Sequence, residues 1–194
     1  MFARGFKTWC ENTAIGFRRD LGLESVEPLS PRALASELGV RVWGADEVPG
    51  VDAETLDILL RADPSSWSAL TINVGRERLI VLNTAHSGAR SASDLSHELS
   101  HLVLGHEPGR VDVSEDRLLL LHSFDRAQED EANWLAGCLL LPRDALLHIM
   151  GEGWPVSDAA GRYGVSVDML KYRLNVTGVN AQISRSRKIS KRSR

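Results

Sequence analysis

The spacing of apolar residues divides the chain into helices and a few strands. Phe6, Cys10, Ala14, Phe17 and Leu21 recur at steps of four, four, three and four, which lines them along one stripe of a helix ending near Gly22. Ser30-Pro31 has the form of an N-cap followed by proline in the first turn, and Gly39 closes the short helix ALASEL. VRVW over 40–43 suits a strand, and Asp52 caps a helix predicted over ETLDILLRA. Leu70, Ile72 and Val74 then alternate with Ala69, Thr71 and Asn73, Gly75-Arg76 marks a turn, and LIVLN over 79–83 is a continuous apolar run, so the pair reads as a hairpin. A Ser/Gly-rich loop over 85–93 leads into a helix predicted over about 92–104, ended by Gly105 and Pro108. A second long helix is predicted over about 126–140, stopping before Pro142, and two short ones over about 156–163 and 167–174 flank Gly164-Val165-Ser166. The pattern predicts an α+β fold in which a small, mostly antiparallel sheet packs against helices.

Composition narrows the class without naming a chemistry. The 194 residues are 43% hydrophobic and 25% charged, the values of an ordinary globular chain. No segment approaches the roughly 18 apolar residues of a membrane span, and the N-terminus has no apolar core of a signal peptide, so a cytoplasmic protein is expected. Cys10 and Cys138 are expected to be buried thiols, and two cysteines are too few for a cysteine-based structural zinc site. The net charge of −3 is uneven: residues 181–194 carry six basic residues and no acid, which leaves −9 (−3 less the tail's +6) for the rest. A run of like charges with few apolar anchors is expected to be a disordered tail.

The helix over 92–104 contains His97-Glu98-Leu99-Ser100-His101, an H-E-x-x-H sequence. A step of four residues on a helix is ~400°, so the two imidazoles lie only ~40° apart and one turn from each other. Together they can bind one zinc ion, which needs a third protein ligand and keeps a fourth position for water. Glu98 is beside them, placed to take a proton from that water without being a ligand. Relative to His97, Asp94, His101 and Leu104 fall within about −20° to +60°, whereas Leu95, Leu99, Leu102 and Val103 fall at about 140° to 240°. One side is thus apolar, for anchoring, and the other presents ligands. The stretch EDEANWLAGCLLLP offers Glu129, Asp130 and Glu131 as the third ligand. Glu129 shares its stripe with Ala132, Asn133, Ala136 and Gly137, small residues that let two helices approach, whereas Glu131 points about 200° away. Glu129 is therefore the expected ligand, with Asn133 orienting a histidine behind it.

SHELSHLVLGH followed by EDEANWLAGCLLLP resembles the ImmA/IrrE family of metallo-endopeptidases, and the resemblance extends through SPRALASELGVRVW and VSDAAGRYGVSVDMLKYRL. It implies one zinc ion on His97, His101 and Glu129, with Glu98 as the acid/base. A zincin-like peptidase domain is expected over 1–150, a helix-turn-helix-like lobe, read from the two short helices around Gly164, over 151–180, and the basic tail over 181–194. The implied task is cleavage of a helix-turn-helix transcriptional repressor, which relieves repression. Ser100 stands where the family usually has glycine, and Trp134-Leu135 where it prefers phenylalanine before Ala136; neither removes a ligand. An oxyanion donor is also needed, and His86, His106, His122, Tyr163 and Tyr172 are candidates. One alternative is a DNA-binding regulator whose second short helix turns Lys171 and Arg173 to phosphates; direct nucleic-acid binding is the less favoured reading. Another is an antirepressor that binds a repressor without cutting it.

Overall fold

Among the described residues the regular structure comprises nine α-helices, five strands, a 3-10 turn at Ala45–Glu47 and a π-helical turn at Ile58–Ala62. The computed structural model describes the backbone of residues 2–74, 77–106, 110–113, 119–122 and 125–192, and side chains within 2–72, 77–106 and 125–185. In chain order, α1 (Phe6–Asp20) and α2 (Pro31–Glu37) precede β1 (Val40–Gly44), and a short α3 (Ala53–Asp57) continues into a π-helical turn at Ile58–Ala62. Strands β2 (Ala69–Val74) and β3 (Glu77–Leu82) follow, then α4 (Gly88–Leu104), β4 (Arg110–Val113), β5 (Leu119–His122) and α5 (Arg126–Leu140). The chain ends in α6 (Arg143–Glu152), α7 (Val156–Arg162), α8 (Val167–Val176) and α9 (Val179–Arg192). The starts of α2 and α3 follow the predicted chemistry, with Ser30 and Asp52 accepting hydrogen bonds from backbone N–H groups of their first turns, and Asp125 and Ser166 do the same for α5 and α8.

The three-stranded sheet has the order β1-β3-β2, with β2 antiparallel and β1 parallel to β3, and β4 pairs antiparallel with β5 as a separate hairpin. The α+β architecture and the predominance of antiparallel pairing are those predicted. Strand β3 is central, which explains its unbroken apolar run: Ile80, Val81 and Leu82 are all buried. Helix α4 lies against β2 and β3 on one side and α5 on another, and α1 packs on α5. Leu95 and Leu99 of α4 join Cys10, Ala14, Leu34, Ile80, Leu135 and Leu139 in the first core. A second core begins at Leu140 and gathers Leu146, Ile149, Ala160, Tyr163, Leu170, Leu174 and Val179, so α6 packs with the C-terminal lobe. Among the described residues no helix is long and apolar enough to cross a membrane.

Four features differ from the sequence reading. Helix α4 starts at Gly88, inside the expected Ser/Gly-rich loop, because Ser87 accepts from the Arg90 N–H and caps a weak helical sequence. The strands β4 and β5 and the helix α6 carried no signal that was read. The tail expected to be disordered continues as α9; Val179 is fully buried, Ile183 packs on the second core, and Gln182 accepts from Arg143. Arg173, expected to face phosphates, is fully buried. It donates to the Leu141 carbonyl and pairs with Glu11 at 2.9 Å, which removes it from any nucleic-acid surface. The turn at 75–76, Pro108, the His122 side chain and the side chains of 186–194 lie outside the described residues.

Candidate metal centre

Helix α4 presents the histidines as its periodicity requires. His97 and His101 turn their Nε2 atoms toward each other at 3.0 Å, with ring centroids 4.6 Å apart and planes at 74°. From α5, Glu129 places Oε2 3.2 Å from His97 Nε2 and Oε1 3.4 Å from His101 Nε2. One ligand atom from each of the three residues lies within 4.8 Å of the others. Two atoms bound at ~2.0–2.1 Å to one tetrahedral ion stand about 3.4 Å apart. The chemistry of the set fits as well as the spacing: two imidazole nitrogens and a carboxylate close on one point with lone pairs, the arrangement a borderline-soft divalent cation completes. The side chains are 23%, 21% and 29% exposed, so the point is partly open to solvent rather than sealed in the core.

The neighbours of these groups are as specific. Asn133, one turn along α5 from Glu129, places Oδ1 3.1 Å from His97 Nδ1. Glu98 accepts a hydrogen bond from the Thr71 hydroxyl, which comes from the edge strand β2. Burial first, then the neighbouring His97 and His106, lowers the His101 pKa from 6.5 to about 4. That keeps the His101 ring neutral in mild acid. Ser100, the departure from the family's glycine, is fully buried and donates to the Ser96 carbonyl, so its hydroxyl is satisfied inside the helix.

Other expectations fare differently. His86 Nδ1 pairs with Asp94 Oδ2 at 2.7 Å and its Nε2 lies 3.3 Å from the Pro64 carbonyl, so Asp94, though on the ligand side of α4, is engaged with His86. Tyr163 donates its hydroxyl to the Val26 carbonyl in the second core, and Tyr172 is exposed on α8. Gly137, expected to ease the approach of α4 to α5, instead makes room for Arg173: an added Cβ would stand 2.9 Å from Arg173 Cδ. His106 Nδ1 lies 3.0 Å from His101 Nδ1 and its Nε2 lies 3.4 Å from Glu131 Oε2. The contacts of Thr71 and Glu131 were not read from the sequence. Thr71 reaches Glu98 through strand pairing that spacing does not reveal, and Glu131 sits on the opposite stripe from Glu129. The two cysteines are free, buried thiols in mutual contact, and the Cys138 thiol is pushed up by its hydrogen bond with Cys10 and by burial.

A family model described as "IrrE N-terminal-like domain", of a peptidase family, matches residues 53–175, more than half of the chain. Among solved structures, a Mycobacterium tuberculosis transcriptional regulator is similar in fold, with a TM-score of 0.52 and 14% identity over 89% of this chain and 47% of that one. The chain thus spans about half the length of that structure, and the likeness concerns the fold alone. No curated protein matches the sequence.

Proposed function

The chain belongs to the ImmA/IrrE family of metallopeptidases, and from that membership we propose that it is a zinc-dependent endopeptidase whose substrate is a helix-turn-helix transcriptional repressor. The observation that carries the reading is the convergence of His97, His101 and Glu129 within 4.8 Å, with Glu98 adjacent on the same helix. In the proposal these three side chains hold one zinc ion, and Asn133 orients the His97 ring by accepting from its Nδ1–H. When bound, zinc supplies Lewis-acid polarisation of the scissile carbonyl and acidifies a water. Glu98 takes the proton from the attacking water and delivers it to the departing amine nitrogen. Thr71 restrains one of its two carboxylate oxygens and leaves the other for this transfer. The apolar side of α4, with Leu95 and Leu99 buried in the first core, fixes the helix so that these distances persist. The choice of a repressor as substrate is supported by the family's association with cleavage of transcriptional regulators.

The test is direct. The purified, zinc-loaded chain is incubated with candidate repressors and the products are weighed by mass spectrometry; one discrete cut is expected. Glu98→Gln should bind zinc and repressor but yield no cut. Full relief of repression by Glu98→Gln in cells would instead mean that binding, not cleavage, is the function.

A further inference from the structure

We propose that His106 and Glu131 form a positioning relay behind His101, which selects the ring tautomer that leaves its Nε2 free for the metal; the inference rests on the reading of His101 as a ligand. The end of α4 creates the contact. Gly105 is left-handed at φ 68°, a conformation glycine adopts without the strain of a Cβ. It turns the chain so that the His106 N–H donates to the His101 carbonyl at 3.0 Å, the six-to-one bond of a Schellman ending. The same residue then returns its ring to the same partner. His106 Nδ1 stands 3.0 Å from His101 Nδ1, with centroids 5.0 Å apart and planes at 68°, and the His106 side chain is only 8% exposed. Beyond it, His106 Nε2 faces Glu131 Oε2 at 3.4 Å.

Counting hydrogens decides the order of this chain. His101 directs Nε2 at His97 and Glu129, and a nitrogen that ligates a metal carries no hydrogen. Its one ring hydrogen therefore lies on Nδ1, and His106 Nδ1 accepts it. The hydrogen of His106 then lies on Nε2, where the Glu131 carboxylate accepts it. Each donor meets one acceptor. Reversing the direction would put the His106 hydrogen on Nδ1 and move that of His101 to Nε2, which removes the lone pair the metal requires and leaves Glu131 facing a bare nitrogen. The carboxylate of Glu131 thus favours the productive tautomer two rings away. His97 meets the same requirement more simply, through Asn133 Oδ1 at 3.1 Å. Helix α5 therefore supplies three elements of the site from Glu129, Glu131 and Asn133. Glu131 contributes although it lies on another stripe, because His106 spans the gap.

The experiment measures zinc affinity of the full chain by competition with a chromogenic chelator, beside the melting temperature of the metal-free protein and the visible spectrum of the cobalt-loaded protein. His106→Phe keeps a ring but no acceptor, and Glu131→Leu removes the terminal acceptor. Each is expected to weaken zinc binding by about 10–100-fold and to alter the cobalt bands. His106→Asn offers an oxygen near the place of Nδ1 and should recover most of the affinity. Zinc affinities within twofold of wild type for both His106→Phe and Glu131→Leu would overturn the relay, as would equal losses in His106→Phe and His106→Asn. If His106→Phe fails to fold, the partly exposed Glu131→Leu decides alone. A wild-type chain that binds no zinc overturns the functional reading and the relay together. Wild-type binding that is abolished by His97→Ala but indifferent to the relay variants overturns the relay only.

Discussion

The two ends of α5 are both polar, and they are polar in opposite senses. At the C-terminal end, Arg18 donates to the carbonyls of Ala14, Leu139 and Leu140, and Arg173 donates to that of Leu141 and to Glu11. Both guanidiniums are fully buried. They fill the carbonyl positions a helix leaves open and bring positive charge to the negative end of its dipole. At the N-terminal end, Glu129 brings a carboxylate against two imidazole nitrogens where all three side chains are partly open to solvent. The first cluster is largely closed by its own hydrogen bonds, with one Arg173 nitrogen, Nη1, left buried and unpartnered, and it joins α1, α5 and α8. The second has the spacing of a site that could hold a cation. The two clusters thus differ in what their polar atoms meet: guanidiniums on carbonyls and a carboxylate at one end, imidazoles and a carboxylate around a shared point at the other.

This contrast predicts that each end can be damaged without the other. The largest effect is expected at the open end: Glu98→Gln should lower peptide cleavage by about 10²–10⁴-fold while zinc content, measured by metal analysis, stays at that of wild type. Loss of zinc in that variant would make Glu98 a ligand instead. At the closed end, Glu11→Ala leaves Arg173 buried without its counter-charge and should cost about 3–5 kcal/mol in a urea titration. Zinc affinity of whatever remains folded should not change, and a parallel loss of metal would join the two ends. Gly137→Ala drives a Cβ to 2.9 Å from Arg173 Cδ, and a loss of about 1–2 kcal/mol is expected from the overpacking. Unchanged stability would show that Arg173 can move aside.

The smallest effect is one of pH on the metal-free protein. His101 has its pKa lowered from 6.5 to about 4, so the unfolded chain takes up a proton that the folded chain refuses. The stability this group contributes is present above pH 6.5 and is lost as pH falls from there toward 4. With partial exposure discounted, the loss between pH 7 and pH 5 should be about 1 kcal/mol by denaturant titration. His101→Gln should reduce it, and an unchanged pH dependence in that variant would assign the effect to other groups.

The legible part of the molecule was whatever repeats along one element. The apolar stripes of α1 and α4, the caps at Ser30 and Asp52, and the alternation in β2 all depend on neighbours within a few residues. The spacing of His97, Glu98 and His101 belongs to the same class, because one helix fixes their relation. Some positions were misread because the governing partner lies far away in sequence. Arg173 looks like a surface cation until Glu11, 162 residues earlier, is placed beside it. Gly137 looks like a helix-packing residue until Arg173 occupies its space, and residues 181–192 look unstructured until Val179 and Ile183 find the second core.

The sequence by itself therefore determined the periodic elements, such as α1, α4 and α5, and the face on which the two histidines stand, since local geometry repeats every 3.6 residues whatever surrounds it. Only the tertiary structure decided that Glu98 meets Thr71, that Glu131 reaches His101 through His106, and that two arginines close the far end of α5. Those contacts join residues of different elements, and their partners are chosen by burial, which favours a complement for most polar groups removed from water wherever the packing brings one.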